Sequence, residues 1–425
     1  MGSIGRCLHV LCILLGGCAT ERQVVLGAGS APPDDLQVQR QVQQDIDQTA
    51  PVNGNRVDLL RDGVQAFPAM FAAMRHARDS INLEFFTFDD VRSDGETLGN
   101  VLMDRLRHGV SVSIIYDAYG SNTTPPAFLQ RLAAAGAVMV AFNPNPLARG
   151  KLDNPNDRDH RKIMIVDGRA GFLGGINFDH VYENPSAAGA VPGDTDHSYW
   201  RDTSVRITGP AVADLQRVFL STWAKQNGPR LPPRDWIPRL VPTDDETVRI
   251  LASEPGGDHP LYYVWLLHAL RAARRSISLS TGYFVPSNQE REELAKAARR
   301  GVSVRLVLPG RGDSDAAIAA GRAAYGDLLE AGVKIYEVRN AVLHSKFVII
   351  DGVWMAIGSS NFDHRSAMFN NEIDAIVLGS RVADGEALFN QDVAMSNEID
   401  LRTWRSRPLD ERFREWRARL LEFLL

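Results

Sequence analysis

The 425-residue sequence predicts an α/β protein of two homologous α/β domains related by a pseudo-two-fold axis, with an active site at their interface. Three observations predict it. Amphipathic helices alternate with short β-branched strands, the alternation recurs at one long period, and a proline-rich break separates the copies. Ala73–Ile81 matches Ala269–Ile277, 196 positions on, and in each the end of a helix runs into a strand, Ile81–Phe86 and Ile277–Ser280. Gly109–Val112 matches Gly301–Val304, and Gly136–Val140 matches Gly332–Tyr336, each a helix-terminating glycine followed by a strand. A period of about 190 residues means whole duplicated domains and not a solenoid. The break is Gly228-Pro229-Arg230-Leu231-Pro232-Pro233, then Pro238 and Pro242. The expected layout is a polar tether at 19–51, a first domain at 52–228, a linker at 229–247, a second domain at 248–400 and an amphipathic helix at 401–425.

Composition bounds the function. A net charge of −5 and a pI near 6.1 argue against a dedicated nucleic-acid binder, so no nucleic-acid partner is expected. All three cysteines (Cys7, Cys12, Cys18) fall in the first eighteen residues, leaving the folded part without a disulfide or a cysteine metal site. Arg6 precedes an apolar run, Leu8–Leu15, too short for the roughly 20 residues a membrane span needs but suited to a secretory signal. The run ends in Leu15-Gly16-Gly17-Cys18, which resembles the lipobox of bacterial lipoproteins. Residues 1–18 then form a signal peptide, Cys18 is lipidated, and the polar stretch Glu21–Ala50 tethers the enzyme to the envelope membrane, outer or inner, on its periplasmic side. A plain signal peptide or a misassigned start is the alternative.

The densest chemical signal is duplicated. His160-Arg161-Lys162-Ile163-Met164-Ile165-Val166-Asp167 precedes Gly174-Gly175-Ile176-Asn177, and His344-Ser345-Lys346-Phe347-Val348-Ile349-Ile350-Asp351 precedes Gly358-Ser359-Ser360-Asn361. Seventeen residues separate histidine from asparagine in both copies. On a strand, residues i and i+2 share a face, so each histidine points with its lysine. Asp167 and Asp351, seven residues on, belong to the pattern and are grouped with the candidate site, but strand parity turns them to the other side and favours a structural role. A nucleophile, a cation and neutral donors around one point suit chemistry on a phosphorus anion.

The pair of motifs resembles the signature of the phospholipase D superfamily, His-x-Lys-(x)4-Asp with a downstream Gly-Gly/Ser-x-Asn, present twice. Within it the chain is similar to bacterial cardiolipin synthases. The resemblance runs from about Asn55 to the C-terminus, on Leu60-Arg61-Asp62-Gly63, Tyr116–Ser121, Phe142-Asn143-Pro144, Trp200-Arg201-Asp202, Gly282–Pro286 and Asn361–Ser366. Relatives carry spanning helices at the N-terminus or nothing there, so a lipobox is a departure. Realignment at an offset of 170 matches Arg201–Gly209 with Asn371–Gly379, placing Asp202 and Glu372 at equivalent positions and 14 extra residues, within Asn184–Tyr199, in the first half.

The resemblance implies that an acid there hydrogen-bonds a histidine and fixes its tautomer. It implies phosphatidyl transfer through a phosphohistidine, with His160 the nucleophile and His344 the acid/base, an assignment the residues alone leave open. Lys162, Lys346, Asn177, Asn361 and Ser359 complete the candidate site. No cofactor is implied, and no cluster of Asp, Glu or His has metal-ligand spacing. The expected reaction joins two phosphatidylglycerols into cardiolipin with release of glycerol. Hydrolysis, transfer to another alcohol, and a nuclease of the same superfamily are the rivals.

Weaker features stay open. Phe85, Phe86, Phe88, Tyr283, Phe284 and Trp354 lie at strand ends, as acyl-path lining or as core. Asn143–Asp159 is a lid or plain surface. Arg402–Leu425, with Phe413, Trp416, Leu420 and Leu424 at helical spacing, covers the second domain or rests on an anionic bilayer.

Overall fold

The computed structural model describes residues 50–144, 156–185, 199–255 and 260–419. The apolar leader with Cys18, residues 19–49 of the tether, residues 145–155 of the expected lid, residues 186–198 of the insertion and the last six residues lie outside them.

Strands with buried side chains on both faces need a helix layer on each side. Ser80–Phe85 and Lys162–Val166 are buried at every residue. The helix Asp62–Arg75 answers one face with Ala66, Phe67, Met70, Phe71 and Met74, a single helical stripe. Asn288–Arg299 does the same in the second half, started by a capping box between Ser287 and Glu290. Gly109 and Gly301 end matched helices at φ +81° and +91°, a conformation other residues adopt at a cost.

The longer strands form one continuous sheet, and its order displays the repeat. Outward from the centre the first half runs Val52–Arg61, Thr203–Thr208, Ala170–Gly174, Lys162–Val166, Ser80–Phe85, Ser111–Asp117, Val138–Phe142. The second half runs Glu246–Ser253, Asn370–Leu378, Trp354–Gly358, Phe347–Ile350, Ser276–Ser280, Ser303–Pro309, Lys334–Val338, and ends in an extra edge strand, Ser396–Ile399. Val52–Arg61 and Glu246–Ser253 meet antiparallel at the centre, as a two-fold relation requires. The latter strand starts two residues ahead of the boundary expected at 248.

Each half has its own apolar layer, around Phe67, Phe71, Phe85 and Phe172 in the first and Leu270, Leu294, Leu306 and Leu328 in the second. A third cluster holds residues from both, including Ile163, Leu173 and Phe219 with Phe347, Ile357 and Phe389. Two buried arginines cross the halves. Arg161 donates to the backbone oxygens of Glu372 (3.1 Å) and Ser253 (2.9 Å), and Arg201 makes a bidentate pair with Asp392 (2.7 and 2.8 Å).

The proline-rich segment lies along the first half, where Trp223 Nε1 donates to Pro229 O (2.8 Å) and Thr243 N to Gly54 O (2.9 Å). The helix Leu409–Arg419 packs Ala418 against Val285, Ala317 and Ala320 of the second half and leaves Phe413 exposed. No helix among the described residues is long and apolar enough to cross a membrane.

Candidate active site

Each histidine is carried by an extended segment that reaches across the two-fold. Arg158–Asp159 pairs in parallel with Asn370–Asn371, and His160 N donates to Asn371 O (3.0 Å). Trp200–Arg201 pairs in parallel with Val342–Leu343, and His344 N donates to Arg201 O (2.8 Å). The strand of each histidine thus lies beside the acid-bearing strand of the other half. Gly282 permits the close packing here, since a Cβ on it would stand 2.7 Å from His344 Cα.

The acids pair crosswise. His160 Nδ1 lies 3.0 and 3.1 Å from the Glu372 carboxylate oxygens, and His344 Nδ1 lies 2.7 Å from Asp202 Oδ2. A carboxylate only accepts, so Nδ1 carries the proton and Nε2 keeps its lone pair. Ser359 Oγ donates to Glu372 Oε2 (2.5 Å), and Tyr182 Oη donates to Asp202 Oδ2 (3.1 Å) while standing 3.0 Å from His344 Nδ1. Gly63 holds the Tyr182 loop close, because a Cβ there would fall 2.0 Å from Tyr182 O.

Lys162 and Lys346 are buried, each ammonium donating to the backbone oxygen of its own histidine. Asn177 Oδ1 accepts from Thr87 N (3.1 Å), leaving its amide N–H groups for a ligand. His160, His344, Asn177 and Asn361 line one cavity of about 680 Å³. Phe86, Tyr182, Trp200 and Tyr283 form its aromatic walls, with Arg158, Arg365, Asp179, Asp313 and Asp363 among its charged residues.

Burial governs the site's titration. It lowers His160 to about 4 against the opposing pull of Glu372, and it drives His344 well below the usual histidine value, helped by Lys346 and Lys162. It lowers Lys162 to about 7 and Lys346 to about 8. Burial also lifts Asp202 to about 6, whereas for Glu372 its upward push is outweighed by His160 and Lys162, leaving that acid below its usual value. At neutral pH both imidazoles are therefore neutral. An anion brought between them raises every one of these cationic pKa values and draws in protons.

Asp167 and Asp351 do not reach the cavity, and their grouping with it is corrected here. Both sit just past the strand end at φ 55° and 56°, in turns where parity no longer applies. Asp167 accepts from the amides of Arg78, Asp79 and Ser80 (2.8 to 3.2 Å), and Asp351 from those of Arg274, Arg275 and Ser276 (2.6 to 3.1 Å). Each ties the motif strand to the helix–strand junction beside it.

The aromatic strand ends divide. Phe86 and Tyr283 line the cavity, Phe85, Phe88 and Phe284 are core, and Trp354 packs on Trp265. Sequence reasoning missed Tyr182, Trp200 as a wall, Asp313, and the arginines Arg158 and Arg365. The only signal for Tyr182 was its place five residues after Asn177.

Comparison with known proteins agrees with this geometry. The family model described as "Cardiolipin synthase, PLD-like domain" matches residues 70–184 and 266–393, one stretch in each half. A cardiolipin synthase of Geobacillus kaustophilus is 35% identical over 377 residues, covering 86% of this chain and 72% of that protein. Cardiolipin synthase 1 of Staphylococcus aureus is 31% identical over 378 residues, covering 87% and 74%. Among solved structures, the phosphatidylserine synthase of Haemophilus influenzae superposes with a TM-score of 0.66 at 13% identity, over 92% of this chain and all of that one, a likeness of fold.

Proposed function

Because this chain belongs to the phospholipase D-like family of cardiolipin synthases, we propose that it joins two phosphatidylglycerols into cardiolipin and releases glycerol. The observation that carries this reading is the pair of histidines in one cavity, each oriented by a carboxylate from the opposite half, with two buried lysines behind them.

In the first step Nε2 of one histidine attacks phosphorus of the donor lipid. The phosphorus–oxygen bond to glycerol breaks, and the glycerol oxygen takes a proton from the other histidine. In the second step a hydroxyl of the acceptor's glycerol attacks the phosphohistidine. Its proton returns to the second histidine and the phosphorus–nitrogen bond breaks. Resemblance assigns attack to His160 and proton transfer to His344. Lys162, Lys346, Asn177 and Asn361 neutralise charge that builds on the phosphoryl oxygens.

The test is lipid profiling by mass spectrometry in a host that lacks cardiolipin. Wild type should restore it, and His160→Ala or His344→Ala should each reduce it by at least about a thousand-fold. Phosphatidic acid in place of cardiolipin would mean that water, not lipid, is the acceptor.

The substrate places the enzyme at a membrane surface. We further infer that it is held there by acyl chains on Cys18, supported by the Leu-Gly-Gly-Cys stretch and the polar segment behind it. In Cys18→Ser, intact mass should lose the acyl chains and the protein should leave the membrane fraction. Unchanged mass and partitioning would rule the anchor out.

A further inference from the structure

The fold that builds the cavity is repeated, yet its two ends differ. Asn177-Phe178-Asp179-His180 and Asn361-Phe362-Asp363-His364 are identical in sequence and 184 positions apart, the same offset that relates His160 to His344. The next residue breaks the repeat: Val181 in the first copy, Arg365 in the second. A second break lies two residues before each histidine, Arg158 in the first copy and Val342 in the second. These positions are structural equivalents. Arg158 and Val342 each open the short strand that crosses to the other half, and Val181 and Arg365 each sit in the short helix behind an Asn-Phe-Asp stretch.

Both substitutions change valine to arginine, and the cross-over of strands brings the two arginines to one place. Arg365 Nη1 and Nη2 donate to the side-chain and backbone oxygens of Asn156 (3.1 and 3.2 Å), two residues ahead of Arg158. Arg158 donates to Asp157 O (2.8 Å) and lies over the Tyr119 ring at 5.1 Å. Both guanidiniums are half-buried and line the cavity on the His160 side. Asp313, whose carboxylate accepts from Tyr283 Oη (2.6 Å), lines the same cavity but belongs to the His344 side, where Tyr283 packs edge-on to that ring. Arg158 and Arg365 thus stand together at one end of the cavity, their two charges against the single carboxylate of Asp157 that both of them face, and Asp313 stands at the other end, with two buried lysines behind the centre for the phosphate under attack.

We propose that Arg158 and Arg365 form a second phosphate site, taking the phosphodiester of the acceptor lipid. This rests on the transfer reading above, in which the acceptor carries a phosphate that is not attacked, joined through one glycerol to the hydroxyl that reacts. Guanidinium pairs are suited to such an oxyanion by their forked donors. The site selects an alcohol that already bears phosphate over a free alcohol, and it grips the product by its second phosphate until release.

Two soluble acceptors that differ only in that phosphate test the site: isotopically labelled glycerol 3-phosphate and glycerol, the label being needed because transfer to glycerol regenerates the donor lipid, with phosphatidylglycerol in mixed micelles as donor. Wild type should prefer glycerol 3-phosphate by about tenfold or more in kcat/KM, the scale of one charge-assisted contact. Arg158→Gln and Arg365→Gln should each bring the two acceptors to within about threefold, and Arg365→Lys should keep part of the preference. The preference is a ratio, so loss of folded enzyme does not move it. Equal use of both acceptors by wild type, or an unchanged ratio in both glutamine variants, would overturn the second site. If wild type formed neither labelled product and no cardiolipin from the micellar lipid, the transfer reading would fall instead, and the site with it; cardiolipin without either labelled product would overturn the second site alone.

Discussion

His160 attacks from its neutral state, His344 must gain a proton as the anionic substrate binds, and the two lysines behind them titrate close to physiological pH. Lys162 at about 7 and Lys346 at about 8 lose their charge as pH rises, so the free enzyme's kcat/KM should fall across that interval. A bound phosphodiester favours the charged lysines, so the same limb should sit at higher pH in kcat. Calorimetry of tungstate binding at pH 8, in buffers of different ionisation enthalpy, should register net proton uptake; proton release would contradict the electrostatics described above. At this scale much was legible beforehand. The histidines, lysines and asparagines announce themselves by a repeated spacing, and the acids Asp202 and Glu372 by realignment. Their crossed pairing was not legible, because which half supplies a partner depends on how two strands pass each other. Tyr182 lay outside any spacing rule, and Arg365 shows in the sequence only as a break after the repeated Asn-Phe-Asp-His; that both face the cavity depends on short helices whose direction only the fold sets.

The hairpin that carries each motif is pinned at its far end by an aspartate in a left-handed turn. Strand parity reached a structural role for Asp167 and Asp351 by a premise that fails, since the strand has already ended there. The turn gives the real reason: a positive-φ position aims the carboxylate at three consecutive amides. Asp351→Asn should therefore lower stability by about 1 to 3 kcal/mol, the range for losing hydrogen bonds to a charged group, with kcat per folded molecule unchanged. Burial pushes Asp351 up, but the amides of Ser276, Arg275 and Arg274 outweigh it and hold it below its usual value of 3.8. A depressed acid stabilises fully above its unfolded pKa and loses that contribution as pH falls through the folded one. The Tm difference between wild type and Asp351→Asn should thus be widest near neutrality and narrow below about pH 4. A difference that does not change with pH would show that the amides do not read the charge.

Across the whole molecule, one sheet and one shared apolar cluster join the halves, and Arg201 meets Asp392 over that join in a fully buried pair. Removing the Arg201 guanidinium leaves the buried Asp392 with only the longer contact to Arg61, 3.6 Å away. Arg201→Met should cost about 3 to 5 kcal/mol, and denaturant melts of both wild type and variant should show a single transition. Two separated transitions in wild type would mean that the halves fold independently. The duplication and the layered α/β class were readable from the sequence, because helix ends and strand starts recur with their glycines. The merging of two expected domains into one sheet was not, since Val52–Arg61 and Glu246–Ser253 meet through edges that no periodicity marks.

The crossing of strands between the halves has a consequence for heredity. Each reactive histidine and its carboxylate are encoded on opposite sides of the proline-rich segment, so neither half of the gene owns a complete centre. A recombinant that joins the first half of one relative to the second half of another would keep every motif letter for letter. It would nonetheless seat each histidine against an acid strand from a different lineage, at both centres at once. A suture that respects the chemistry must instead exchange the segment around Arg158–Lys162 together with Asn370–Asp374, two pieces more than two hundred codons apart. Divergence in either copy is bound in the same way: a drift in one histidine strand can be compensated only in the other half's acid strand.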